Sequence, residues 1–441
     1  MNTPPNDRGL PGTNLDPWFN SYAQRTAGLS ASEVRALFAV ASRPEVVSLA
    51  GGMPYVSALP AELITSAMER VMRESGPMAL QYGSGQGTMV LREHILDIMA
   101  LEGISGSVDD VVTTTGSQQA LDLVTKLFID PGDVILAEAP SYVGAIGVFR
   151  SYQASVAHVA IDEHGLIPEA LRETIARLRG EGRTIKFLYT IPNFHNPAGV
   201  TLTRERRAEV LEIARRNEIL VLEDNPYGLL YFDEKPPEAL RASDDDGVIY
   251  LGSFSKTLAP GFRVGWALAP HAIRDKLILA AESATLSPSS FSQLIIAEYL
   301  RTADWQGQID TFRDVYRERR DAMLSALNEY LPHLSWTVPT GGFYIWLTLP
   351  HELDAKQMLP RAVKELVAYT PGTAFFADGR GRHAMRLSFC YPTPDRIREG
   401  IRRLATVING ELDLLQTFAG TGALDAARPD SHYASPPPDL D

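Results

Sequence analysis

The chain has 441 residues, 45% of them apolar and 22% charged, with a formal net charge of -13 at pH 7. That length buries more than one compact core, so two domains are expected. The acidic balance excludes a protein that neutralises nucleic-acid phosphates and opposes an anionic membrane surface. A single cysteine, Cys390, rules out an intrachain disulfide and fits a reducing compartment. The nine histidines are scattered, with no two at i, i+3 or i+4, so no metal site is expected. No signal-type run and no stretch of ~18 apolar residues is present, which points to a soluble, cytoplasmic protein.

In chain order, residues 1–20 are rich in Pro, Gly and Asn, and "SASEVRALFAVASR" then reads as a short amphipathic helix. Ser30 and Glu33 form its capping box, and Val34, Leu37, Phe38 and Ala41 share one face. Residues 1–50 are thus expected to be an N-terminal arm with a short helix. From about residue 110, strands and helices alternate: "DVVTTT", "GSQQALDLVTKLFI", "DVILAEAP", "IKFLYTIP", "TRERRAEVLEIARRNE", "ILVLEDN", "GVIYLGS" and "RVGWALAP". Thr203 is the candidate N-cap of the second helix. The strand runs are apolar without much alternation, as in a sheet covered on both faces. This pattern predicts a three-layer α/β/α domain with a mostly parallel sheet over 51–310. A long charged helix, "DTFRDVYRERRDAMLSALNEY", follows, then "GGFYIWLTLP" and "HAMRLSFCYP", predicting a smaller α+β domain over 311–415. Residues 416–441 are expected to be a disordered tail.

In such sheets ligands sit beyond the carboxyl ends of the strands. Five strand ends here deliver polar groups: Gly116-Ser117-Gln118, Ser141-Tyr142, Asn193 with His195-Asn196-Pro197, Asp224-Asn225-Pro226-Tyr227, and Ser253, Ser255 and Lys256. Ser117 taken alone reads as an N-cap, yet the Gly116–Gln118 turn also offers backbone N–H groups as a phosphate seat. Ser253, Ser255 and Arg263 can close around the same dianion. A lysine beside such a pocket can be neutral, and a neutral amine attacks an aldehyde. Asp224, after a run of Ile, Leu and Val, is costly unless it faces a lasting cation such as a protonated pyridine nitrogen. Lysine, aspartate and phosphate seat together point to pyridoxal phosphate. "GSFSKT" is not a Walker loop, because Ser255 stands where that motif requires Gly.

The stretches "SLAGGMP", "LQYGSGQG", "TTGSQQALDL", "EAPSYVG", "NPAG", "EDNPYG", "SFSKTLAPGFRVGW" and "RLSF" occur in this order. Through them the chain resembles the fold type I pyridoxal-phosphate enzymes, class I/II aminotransferases, from roughly residue 25 to 410. Within them it is most similar to the 2-aminoadipate/kynurenine branch. The resemblance implies that Lys256 carries the cofactor and shuttles a proton, and that Asp224 holds the pyridine nitrogen protonated. Tyr227 and Asn196 would hydrogen-bond the phenolic oxygen, and Tyr142 would stack on the ring. Ser117, Gln118, Ser253, Ser255 and Arg263 would hold the phosphate, with Tyr82 reaching it from the partner of a homodimer. Arg386 would pair with the substrate α-carboxylate, with the Gly52 backbone nearby and Asn196 also on the substrate side. Arg35 has two readings, recognition of a side-chain carboxylate or exposure to solvent. His195 stands where Gln is commoner and Leu59 where an aromatic is frequent, and His195 reads as structural.

The function expected is an aminotransferase that moves the amino group between an L-amino acid and 2-oxoglutarate by a ping-pong mechanism. The donor would be of 2-aminoadipate, aromatic or branched-chain type. Lyases, decarboxylases and cyclases share the scaffold, and motifs around the cofactor do not separate them. A regulator with a DNA-binding domain is disfavoured by the acidic charge and the few residues before "GGMP".

Overall fold

In the computed structural model, residues 16–29 and 43–419 are described. The predicted capping-box helix and the chain beyond Ala419 lie outside them. The apolar runs read from the sequence become strands of an eight-stranded sheet, interior ones except for "DVVTTT", which forms one edge. Its members are β2 (Val111–Thr114), β3 (Val134–Ala139), β4 (Ser155–Asp162), β5 (Gly165–Leu166), β6 (Ile185–Thr190), β7 (Leu220–Asp224), β8 (Val248–Ser253) and β9 (Gly265–Leu268). Their order is β2-β9-β8-β7-β6-β3-β4-β5. The pairs β8–β7, β7–β6, β6–β3 and β3–β4 are parallel. β9 is antiparallel to both β2 and β8, and β5 is antiparallel to β4. The sheet is therefore mostly parallel, and β2, β8, β7, β6 and β3 all end at one edge.

Successive strand residues point to opposite faces, and β3 shows how both faces are covered. Val134 and Leu136 pack with Leu171, Ile175 and Val210 from the helices Pro168–Gly180 and Arg204–Arg216. Ile135 and Ala137 pack with Leu121, Val124 and Phe149 from the helices Ser117–Phe128 and Val143–Ser151. Thr203 caps the Arg204–Arg216 helix, as its sequence context predicts, accepting from the Arg206 N–H at 3.5 Å.

The remaining strands form a four-stranded antiparallel sheet, in the order β10 (Ser335–Trp336), β11 (Tyr344–Thr348), β14 (Ala384–Ser388) and β13 (Thr370–Pro371). β1 (Val47–Ser48) pairs in parallel with β12 (Val367–Ala368). The Leu49 N–H then donates to Ala368 O at 2.7 Å and Leu49 O accepts from Ser388 N–H at 2.8 Å. These bonds lay the following Ala50–Gly52 stretch beside β14, facing the edge where the large-sheet strands end. The long helix covering this region starts at Trp305, earlier than the sequence suggested, because the Asp304 carboxylate caps it by accepting from the Gly307 N–H at 3.0 Å. The last helix, Pro394–Ala419, runs past the expected boundary at 415. Its buried stripe of Ile397, Ile401, Leu404 and Ile408 carries the helical period through the preceding turns.

Candidate active site

At the end of β2 the chain turns through Gly116, at φ 75°, into the Ser117–Phe128 helix. Gly116 is the N-cap and no side chain caps this helix, so the Ser117 hydroxyl is not used on its own helix. The first-turn N–H groups of Ser117 and Gln118 have no preceding turn to donate to. Gly265 of β9 pairs with Thr114 on one side and with Ser253 on the other. The ends of β2 and β8 are thus held two strand spacings apart. Ser253 Oγ lies 2.9 Å from Ser255 Oγ and accepts from the Ser255 N–H at 3.0 Å. Arg263, itself left-handed at φ 52°, donates from Nη2 to Thr115 O at 3.3 Å. Hydroxyls, helix N–H groups and a guanidinium meet here with no acid among them, a donor set suited to a dianion.

Gly116 is required by its backbone, φ 75° and ψ 166°, a region essentially reserved for glycine; a Cβ there would also displace the end of the Arg263 side chain, with Nη2 2.6 Å away. Gly116→Ala is expected to lower stability by roughly 1–3 kcal/mol, seen as a lower urea midpoint; an unchanged midpoint would show that the turn tolerates a side chain.

Asp224 ends β7 and is 3% exposed. Its Oδ2 accepts from the Tyr189 hydroxyl at 2.8 Å, while Oδ1 is buried without a hydrogen-bond partner among the described residues. Burial pushes this carboxyl up to about 6, against the lowering pull of Tyr189 and Lys256. Lys256 follows β8, and its Nζ donates to Gly52 O at 2.9 Å. Burial is the main cause that lowers the ammonium to about 8, with the charges of Arg386 and Arg263 pushing the same way and Cys390, then Asp224, opposing. An amine with an appreciable neutral fraction and a carboxylate oxygen awaiting a donor therefore share one enclosure.

Arg386 lies on β14 and is 3% exposed, with no carboxylate partner among the described residues. It donates to Asn196 Oδ1 at 2.8 Å and to Ala50 O at 2.6 Å, while its Nε has no partner. The Tyr344 ring lies 4.2 Å from the guanidinium carbon and the Phe375 ring 4.9 Å. Tyr227 OH reaches Tyr344 OH at 3.4 Å. A Cβ on Gly52 would lie 2.0 Å from that same Tyr344 hydroxyl, so only glycine lets the strap pass between Tyr344 and Lys256. Tyr142 sits amid these groups. Its hydroxyl is raised to about 12, chiefly by burial and then by the charges of Asp224 and Tyr344, with Arg386 and Arg263 pulling it down. The Gln118 side chain holds Tyr142's turn, donating to Gly144 O at 3.1 Å, with Tyr142 OH 3.5 Å from its Oε1.

The structure thus gathers Gly52, Ser117, Gln118, Tyr142, Asn196, Asp224, Tyr227, Ser253, Ser255, Lys256, Arg263 and Arg386 around one place. Tyr82 is not among them; it is 77% exposed. Arg35 lies outside the described residues. Sequence reading missed Tyr189, which lies inside β6, and Tyr344, Ala50 and Thr370, which come from the second sheet and its strap. Thr370 Oγ1 donates to Ala50 O at 3.0 Å. Only "GGFY" hinted at any of these, because glycines before an aromatic mark a close backbone approach.

The chain matches the family aminotransferase class I and II over residues 44–404. It is 43% identical over 395 residues to aromatic-amino-acid aminotransferase 1 of Thermococcus litoralis, covering 89% of this chain and 94% of that one. It is 38% identical over 403 residues to the 2-aminoadipate transaminase of Thermus thermophilus, covering 90% and 99%. Among solved structures, Pyrococcus horikoshii kynurenine aminotransferase in complex with PMP superposes with a TM-score of 0.85 at 40% identity, covering 89% of this chain and 97% of that one.

Proposed function

The chain belongs to the class I and II aminotransferases, a pyridoxal-phosphate-dependent family, and from that membership we propose that it exchanges the amino group of an L-amino acid with 2-oxoglutarate. The donor is of aromatic, 2-aminoadipate or branched-chain type, and both halves of the exchange use the same pocket in ping-pong order. The observation that carries this reading is the enclosure shared by the Lys256 amine, the Asp224 Oδ1 and the Arg386 guanidinium, the last two lacking, respectively, a donor and a carboxylate among the described residues.

These residues fit the cofactor. The seat at Ser117, Gln118, Ser253, Ser255 and Arg263 suits its phosphate, and Asp224 Oδ1 suits a protonated ring nitrogen. Tyr227 and Asn196 are donors for its phenolic oxygen, and Tyr142 supplies a ring face. When bound, pyridoxal phosphate supplies the electron sink that lets a proton leave the substrate Cα. Arg386 holds the α-carboxylate in a forked pair. Lys256 Nζ, its basicity lowered by burial, takes the Cα proton and returns it one position away. Tyr142, Tyr344 and Phe375 keep water from the reacting carbon.

The relatives named for aromatic, 2-aminoadipate and kynurenine substrates support a broad donor pocket. Exposed Leu63, Met72, Met78, Leu80 and Tyr82 form an apolar stretch suited to a second copy of the chain, which would bring Tyr82 to the neighbouring phosphate seat.

The test is a single-turnover absorbance measurement on cofactor-loaded protein with glutamate, 2-aminoadipate, leucine or phenylalanine and no oxo acid. Conversion of the bound cofactor from its aldehyde to its amine form is expected, and the relative rates rank the donors. A cofactor left unconverted by all four would favour the lyase or decarboxylase reading.

A further inference from the structure

Glu138, the penultimate residue of β3, is 2% exposed and touches none of the groups assigned to the cofactor. Its Oε1 accepts from the Thr190 hydroxyl at 2.8 Å, and its Oε2 from the Ile191 N–H at 2.8 Å. The same Oε2 stands 3.1 Å from His195 Nε2. That third approach is a close contact and not a hydrogen bond among the described residues. His195 Nδ1 accepts from the Ala198 N–H at 3.2 Å, so a neutral ring carries its proton on Nε2, facing the carboxylate. His195 also pins the turn it opens, its N–H donating to Val200 O at 2.8 Å and its carbonyl accepting from Gly199 N–H at 2.6 Å. The next residue in that turn is Asn196, whose Oδ1 receives one arm of Arg386.

The backbone of Glu138 reaches the other side of the same guanidinium. His158 Nδ1 lies 2.9 Å from Glu138 O, and His158 Nε2 accepts from the Ala377 N–H at 2.9 Å. That pairing requires a neutral ring with its proton on Nδ1. Two residues away from Glu138's neighbour Ala139, Ser141 donates its N–H to Phe375 O at 2.8 Å. Residues 375–377 are thereby tied to the end of β3, and Phe375 is one of the two rings flanking Arg386. Both flanks of Arg386, the Asn196 acceptor and the Phe375 ring, trace back to Glu138. A carboxylate suits this position because it accepts from several donors and brings no donor of its own.

We propose that Glu138 is a positioning residue for substrate-carboxylate recognition: its side chain sets the turn that carries Asn196, and its carbonyl, through His158, sets the segment that carries Phe375. This rests on the reading of Arg386 as the partner of the α-carboxylate. Because the phosphate seat and Asp224 lie elsewhere, and Asn196 is the one group shared with the cofactor, the larger consequence falls on substrate affinity and the smaller on turnover. His195, in close contact with Glu138 through Nε2 and accepting from the Ala198 N–H through Nδ1, is then the coupling between Glu138 and Asn196, and glutamine can replace it, since one amide offers a donor toward Glu138 and an acceptor to Ala198.

The test compares holoenzymes carrying Glu138→Gln, His195→Ala, His195→Gln and Arg386→Ala with the parent, using the donor that reacts fastest. Glu138→Gln and His195→Ala should each raise KM about tenfold with kcat within about threefold, the scale of one weakened hydrogen bond to the substrate-binding arm. His195→Gln should recover most of the loss seen in His195→Ala. A kcat that falls as far as KM rises, or a KM that stays at the parent value in Glu138→Gln, overturns the proposal; if Glu138→Gln does not fold, His195→Ala decides alone by the same criterion. Arg386→Ala separates the two layers of the argument. If it leaves KM unchanged, the carboxylate reading itself fails; if it raises KM while neither Glu138→Gln nor His195→Ala does, only the positioning role fails.

Discussion

Lys256→Ala is expected to fold, to keep its shape around the site and to lose turnover by on the order of 10⁴-fold or more, the upper range for removing a positioned acid–base group. The side chain supplies one hydrogen bond, to Gly52 O at 2.9 Å, and lies 5.8 Å from the Phe343 ring. Little packing depends on it, and its loss removes an ammonium that burial already disfavours. Lys256→Arg separates charge from chemistry. A guanidinium retains the positive charge near Asp224 but does not deprotonate in a protein, so it is neither a nucleophile nor a base. Both variants should therefore be inactive. Substantial turnover in either would remove Lys256 from its assigned role. The lowered basicity also sets a pH dependence. The neutral amine, which is the reactive form, becomes the majority as pH rises through about 8. Covalent loading of unliganded protein with added cofactor should thus accelerate up to that pH and level off above it. A loading rate that stayed flat between pH 6 and 9 would contradict the enclosure drawn around Lys256.

Asp224→Asn should cost about 10²–10³-fold in kcat/KM, the range for removing one preorganised charged partner, and should weaken retention of the cofactor. The same change should leave unliganded protein no less stable than the parent. Without a cation opposite it, Asp224 keeps one buried oxygen unpartnered, and an unsatisfied buried group costs roughly 1–3 kcal/mol. The sign of the pH dependence follows from the raised carboxyl. A folded value of about 6 lies above the ordinary carboxylate range. Unliganded parent is therefore favoured at low pH and loses that contribution as pH rises through about 6. The asparagine variant should lack this slope, and saturating cofactor should remove it from the parent by supplying a positive partner. Thermal melts of both proteins, with and without cofactor at pH 4.5 and 7.5, would show it. A variant melting well below unliganded parent at pH 7.5 would mean that Asp224 is satisfied in some other way.

Much of this was legible before any coordinate. The interior strands were readable because a strand covered on both faces must be apolar along its whole length, as in "VIYLGS" and "ILVLED". Their polar terminators, from Gly116 to Lys256, then mark the edge where a ligand lies. β4 escaped notice because it is only half covered: Ser155, His158 and Ala160 are partly exposed, so its pattern lacks the unbroken apolar run. Its His158 nevertheless carries one arm of the Glu138 network.

What the sequence determined by itself was the layered fold, the cofactor and most of the residues that gather at the strand ends, since each of those follows a strand and is constrained locally. What only the tertiary structure decided was the company those residues keep. Tyr189 against Asp224, Gly52 against Lys256 and Tyr344, and the two flanks of Arg386 on Glu138 join positions dozens to hundreds of residues apart. Side-chain periodicity records which face of an element is buried, but it carries no record of what lies across that face. That choice belongs to the packing of one element on another.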